Sequence, residues 1–218
     1  RHMDTTLLVG AWEPVSDSSV RLLIYPGPHC AAVMAPKGRQ RSSGEQATPD
    51  EALEALLLCP ALAGTYTLSG SRITQVRESN TRPELSKLSA VFDYTIDRDT
   101  MTQTVVSGTG GAAASGSSLT FRRIPGSDTG SPLVGAWELV QDIWQGVAVF
   151  TGTHYAIVLM QKERDLPSGD QYTPEEALEA ISTSGSLAGT YSVSGTTVTG
   201  KRIANLRPTL VGVDAVWE

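Results

Sequence analysis

Leu8-Val9-Gly10-Ala11-Trp12-Glu13 returns letter for letter as Leu133-Val134-Gly135-Ala136-Trp137-Glu138, and the two stretches then run in step, without a gap, to Asp93 and Glu218. About 39 of the 86 aligned positions are identical, far above chance, which marks a duplicated unit. The repeat is much longer than a solenoid or propeller unit, so each copy should be a domain or nearly one. Any site should then occur twice, and departures from the twofold pattern show where the copies have diverged.

At 218 residues the chain can bury two modest cores or one large one. With 17 basic and 23 acidic residues its net charge is -6, and no block of Lys and Arg offers the footprint of a nucleic-acid binder. An acidic chain poor in aromatics also suits an anionic membrane surface badly, and no stretch is apolar and long enough to span a bilayer. Arg1-His2 before Met3 reads as the remnant of an expression tag, with Met3 the native start. With no charged-then-apolar leader, the expected location is cytoplasmic. Cys30 aligns with Tyr155 and Cys59 with Ser184, so neither belongs to the shared framework, whereas a disulfide scaffold would repeat with the fold. Cys30 is expected to be a small buried apolar residue in preference to a reactive thiol.

Residues 8–14, 20–25 and 29–35 are short apolar segments separated by turn chemistry, and they predict three strands. Thr48-Pro49-Asp50-Glu51 then opens a helix over 48–56: Thr48 is the N-cap, Pro49 suits the first position and Glu51 completes a capping box. Copy two keeps this as Thr173-Pro174-Glu175-Glu176. Five more strands follow at 64–68, 71–78, 88–96, 101–106 and 118–123, with tight turns at Ser69-Gly70 and 97–99. Residues 107–117, all Gly, Ala, Ser or Thr, predict a flexible loop. Eight antiparallel strands and one helix are enough for a sheet to close around one small ligand. The expected organisation is a first barrel over 4–125, a linker over 126–132 and a second barrel over 133–218. That second barrel is incomplete, because Trp217-Glu218 aligns with Phe92-Asp93 and nothing follows to match the last two strands. Truncation is the favoured explanation, and strand exchange in a homodimer is the alternative.

Gly10-Ala11-Trp12, His29, the acidic helix, Gly64-Thr65-Tyr66, and Asn80 with Pro83 occur in order. They recur as Gly135-Ala136-Trp137, Gly152-Thr153-His154-Tyr155, the second helix, Gly189-Thr190-Tyr191, and Asn205 with Pro208. This series resembles the lipocalin-like domains of the calycin superfamily. The resemblance implies an all-β chain of two lipocalin-like antiparallel barrels in tandem, each with one short helix. It also implies that Trp12 plugs one barrel end beneath a last-strand Arg, Arg122 or Arg123, and that Trp137 lacks such a partner.

No nucleotide-binding, zinc-binding or nucleophile motif is present, so neither a cofactor nor a metal is expected. Period-two alternation puts Tyr66 with Leu68, Tyr191 with Val193, Arg77 with Ile73 and Arg202 with Val198, and so on the interior face. A guanidinium inside a small barrel needs a carboxylate, carbonyls, water or an anionic ligand group. His29 and His154 open the third strands; if the face of Ala156 and Val158 is interior, each imidazole lies at a barrel mouth and could serve as acid or base. Turn capping is the plainer role for them. These six residues are the catalytic candidates. Asn80, Asn205, Trp144 and Tyr155 are the candidates for ligand contact, although turn stabilisation alone accounts for the asparagines.

The expected function is binding of a small hydrophobic substrate or ligand. By analogy with lipocalin-like natural-product enzymes, it leans to a cofactor-independent isomerase or cyclase that folds an apolar intermediate. A non-catalytic carrier or sequestering protein is the alternative. Partners among nucleic acids or membranes are not expected.

Overall fold

The computed structural model describes residues 7–15, 19–42, 44–108, 114–127, 130–139 and 141–217. The first half holds β1 (Gly10–Pro14), β2 (Ser19–Tyr25), β3 (His29–Pro36), α1 (Pro49–Leu58), β4 (Ala61–Ser69), β5 (Arg72–Asn80), β6 (Ser89–Asp97), β7 (Thr100–Ser107) and β8 (Ser118–Arg123). The second holds β9 (Gly135–Glu138), β10 (Trp144–Phe150), β11 (His154–Gln161), α2 (Pro174–Ser182), β12 (Ser184–Ser194), β13 (Thr197–Asn205) and β14 (Ala215–Trp217). A short 3-10 turn follows the fifth strand of each half, at Pro83–Leu85 and Pro208–Leu210. Residues 1–6, which include the expected tag remnant, and 109–113 of the expected 107–117 loop lie outside the described residues.

The first eight strands form an antiparallel barrel, closed where β1 meets β8 through Trp12–Arg123, Glu13–Arg122 and Pro14–Phe121. The other six form a sheet in the same running order, with β9 and β14 at its edges. Local chemistry explains the elements. On β5 the buried Ile73, Gln75 and Arg77 alternate with outward residues, as a half-buried strand requires. Both helices carry complete capping boxes, Thr48 with Glu51 and Thr173 with Glu176. Strand four starts at Ala61, earlier than the sequence suggests, because pairing with β5 continues through a bulge at Ala63/Gly64. A side chain on Gly64 would place Cβ 1.9 Å from the Val76 carbonyl oxygen, and one on Gly189, at the matching bulge, 1.8 Å from that of Lys201. Only glycine lets these strands approach so closely.

There are two main cores. One fills the closed end of the barrel with Leu8, Trp12, Tyr25, Tyr66, Ile73 and Met101. The larger lies between the halves: Ile24, Ala31 and Val33 of the barrel meet Val149, Ala156 and Val158 of the second sheet, with Leu56 of α1 and Ile181 of α2 beside them. The two sheets therefore pack outer face to outer face, and α1 packs on α2. This corrects one expectation. The face carrying Ala156 and Val158 points out of its own sheet, towards the other half. The third strands are apolar on both faces because both faces are covered, so alternation could not tell inside from outside.

Candidate ligand-binding site

The closed end of the barrel is sealed from the sequence upward. The Trp12 indole N–H donates to the Leu8 carbonyl at 2.9 Å. The Arg123 guanidinium stacks 4.2 Å from the Trp12 ring centroid and donates to the carbonyls of Leu7, at 2.6 Å, and Val9. Trp12 is fully buried, whereas the aligned Trp137 is 53% exposed, because no described residue takes the place of Arg123 over it. Tyr25 and Tyr66 meet edge to face at 5.0 Å. The Tyr25 hydroxyl accepts from Gln75 Nε2 and from Gln103 Nε2, both at 3.0 Å. Burial, then the neighbouring Cys30, pushes its pKa far above the ordinary phenol range, so it stays protonated.

Above this floor the other half of the barrel interior is a cavity of about 140 Å3 that opens at the end where β5 leaves the barrel. An apolar cavity of roughly 150 Å3 takes one benzene molecule. Leu23, Met34, Leu62, Phe92, Val105 and Phe121 form apolar wall, and Arg21, Gln75, Arg77, Asn80 and Gln103 are the polar residues. Arg77 is only 3% exposed, and its Nε and Nη1 have no hydrogen-bond partner among the described residues. Arg21 Nε is likewise buried without a partner, its guanidinium 6.0 Å from the Phe121 ring centroid. Burial lowers the pKa of both groups, and for Arg77 the nearby Arg82 lowers it further. Guanidinium is basic enough to keep its charge even so. Among the described residues, no carboxylate lines the cavity. It is an apolar chamber with two cationic donors that lack protein acceptors, and such groups gain most from an anion brought in with a ligand. No lining side chain titrates between about pH 5 and 8, so the walls offer orientation and charge stabilisation, not proton transfer.

The structure thus brings Arg77 and Asn80 together at one cavity. The Asn80 side-chain oxygen accepts from the Arg82 N–H at 2.9 Å, fixing the turn as an Asx turn does, and Asn205 repeats this with Arg207 at 2.8 Å. Tyr66 lies in the sealed end. Its pKa, raised by burial to about 12, keeps it neutral. His29 and His154 share the outward parity of Ala31 and Ala156 and do not line the cavity. His154 Nδ1 is 2.7 Å from Thr153 Oγ1, and burial lowers its pKa against the opposing pull of Glu13.

The second sheet arranges the aligned positions differently. Tyr191 donates its hydroxyl to the Thr151 carbonyl at 2.6 Å, and Arg202 Nη1 donates to the Val213 carbonyl at 3.0 Å. Tyr155 packs against Phe150 and Trp217, at centroid separations of 6.1 and 5.4 Å. Gly200 stands where the barrel has Gln75, and a Cβ there would come within 2.6 Å of Trp217 and 3.0 Å of Tyr155. Aromatic rings thus fill the volume that the glutamine occupies in the barrel. Trp144 borders a shallow, open depression with Leu159, Arg202 and Asn205. Arg21, Gln75, Gln103 and Tyr25 escaped sequence reasoning. Two of them stand opposite Gly146 and Gly200, so comparing the copies hides them, while plain alternation along β2 and β5 would have found them. Among the described residues, no cluster of His, Cys, Asp and Glu could hold a metal ion. Among the described residues, no helix is long and apolar enough to cross a membrane.

No protein-family model matches the chain, and no curated protein matches it. Among solved structures, the uncharacterized protein YLR301w of Saccharomyces cerevisiae superposes with a TM-score of 0.46 at 11% identity, over 95% of this chain and 82% of that one. A DNA polymerase sliding clamp of Pseudomonas aeruginosa gives a TM-score of 0.16 at 10% identity, over 92% of this chain and 56% of that one. A sliding clamp of Bartonella birtlesii gives 0.16 at 12%, over 94% and 57%. Likenesses this distant carry no argument about function.

Proposed function

We propose that the chain is a tandem of lipocalin-like units whose first, closed barrel binds a small, mostly apolar molecule bearing an anionic group. One observation carries the proposal: Arg77 and Arg21 line an apolar cavity with no carboxylate among its described lining residues, and both guanidiniums hold buried N–H groups without an acceptor. The anionic group would sit on these guanidiniums and the apolar body against Phe92, Phe121 and Leu62. With about 140 Å3 available, the enclosed part of the ligand is about one aromatic ring or a short branched chain. A longer molecule must protrude from the mouth.

Binding is favoured over turnover because the walls supply no group for proton transfer. The isomerase or cyclase reading retains one support: two fixed guanidiniums in a dry site would stabilise negative charge developing on a substrate carbonyl. Saturation-transfer NMR with benzoate, phenylacetate and hexanoate, each beside its neutral amide, separates an anion site from a merely greasy one. The carboxylates should bind and the amides should not. Equal binding of both sets, or of neither, would end the proposal.

A further inference from the structure

Arg39 and Arg164 are aligned residues, and each reaches across to the other half. Arg39 donates to the carbonyls of Asn205 at 2.5 Å and Leu206 at 3.1 Å. Arg164 donates to the carbonyls of Asn80 at 2.8 Å and Thr81 at 2.6 Å, the residues aligned with those two. In its own half Arg39 neighbours the Cys59 thiol at the C-cap of α1, and Arg164 makes the fuller set of bonds. It also donates to the Ala180 carbonyl at 3.0 Å, near the C-terminal end of α2, and to the Thr183 hydroxyl at 3.3 Å. Its planar fork therefore ties the last turn of α2 to the segment leaving β5, a span that suits guanidinium and not the single head of a lysine.

The two clamps match in construction but not in what they hold. The segment gripped by Arg164 carries Asn80 and Leu85, both on the cavity wall, whereas the segment gripped by Arg39 borders the open concave face of the second sheet. Two further ties fasten the same barrel segment to the second half. Ser86 Oγ lies 3.5 Å from Met160 Sδ, and Glu84, paired with Arg82 at 2.6 Å, accepts from the Tyr172 hydroxyl.

From this we infer that Arg164 is a positioning residue for the ligand cavity: the mouth of the closed barrel is shaped from the other half of the chain. The clamp stands on its own geometry; only its effect on affinity rests on the ligand-binding reading. Arg39 supplies a built-in control, since its loss also breaks a cross-half clamp, and neither the carbonyls it holds, of Asn205 and Leu206, nor its neighbour Cys59 lines the cavity.

The test compares Arg164→Met and Arg39→Met in the full chain by hydrogen exchange and by titration with phenylacetate. In Arg164→Met, exchange over residues 80–88 should rise about tenfold or more, and phenylacetate affinity should fall by roughly 3- to 30-fold. In Arg39→Met, exchange should rise over 203–213 instead, with phenylacetate affinity held within about twofold. Unchanged protection of 80–88 in Arg164→Met would overturn the inference, as would an equal loss of affinity in both variants. If the wild type takes up no phenylacetate while Arg164→Met still loosens 80–88, the ligand reading fails and the clamp survives. Should Arg164→Met not fold, Arg164→Lys keeps charge and stem but cannot span the carbonyls. It should loosen the same segment, and a Lys variant with full protection there would equally refute the role.

Discussion

Replacing Arg77 by Met should make the protein more stable and less able to bind. In the barrel, Arg77 Nε and Nη1 are buried and lack acceptors. Each such atom costs about 1–3 kcal/mol. The two atoms belong to one planar group, so the low end is taken for each, which gives about 2 kcal/mol in favour of the variant. Methionine keeps the unbranched apolar stem that packs along β5, so little is lost in exchange. For a chain of this length each kcal/mol moves the melting temperature by about 2–4 °C, so a rise of about 4–8 °C is expected. Binding runs the other way: losing a charge-assisted hydrogen bond of about 1.5–3 kcal/mol should weaken phenylacetate by about 10- to 150-fold. Urea unfolding and calorimetric titration measure the two sides. Arg202→Met is the comparison: Arg202 Nη1 donates to the Val213 carbonyl while its Nε alone is buried without an acceptor, so loss and relief should nearly cancel and stability should change by less than about 1 kcal/mol. An Arg77→Met protein that is less stable than wild type, with phenylacetate binding intact, would refute the reasoning.

Three further outcomes are expected. Gly64→Ala forces a Cβ to within 1.9 Å of the Val76 carbonyl oxygen and should cost about 3 kcal/mol or more in urea unfolding, whereas Gly27→Ala, where a Cβ meets only open space, should cost much less. Arg123→Ala removes the stacked cation over Trp12 and the donors to Leu7 and Val9, a loss of about 2 kcal/mol, with a red shift of Trp12 emission as the barrel end opens. His154 has a pKa lowered in the fold by burial. Above its unfolded value, about pH 6.5, both states are neutral; below it the unfolded chain takes the proton first, so stability falls until the folded pKa is also passed. The urea midpoint of the wild type should therefore drop more between pH 7.5 and pH 5.5 than that of His154→Gln, and parallel profiles would show that His154 titrates normally.

Strand order, helix capping and the interior direction of Arg77 were legible because each rests on a local signal: alternation along β5, a Thr-Pro-x-Glu start, turn residues between strands. The inward face of β3 was not, since Cys30 faces the barrel interior while Ala31 and Val33 face the other half, and both faces are apolar. What packs on a strand is a property of the whole fold. Most of the cavity's polar set stayed hidden for a related reason: Arg21 and Gln75 belong to one copy only, and their importance comes from converging with Gln103, a residue of a strand that has no described equivalent in the second half.

If Arg77 and Arg21 anchor an anion, their side-chain Nε–H signals in a nitrogen–proton correlation spectrum should move together and saturate as benzoate is added, and stay still with benzamide. Benzoate shifting only surface arginines such as Arg98, or benzamide moving the two buried signals as far, would contradict an anion site inside the closed barrel.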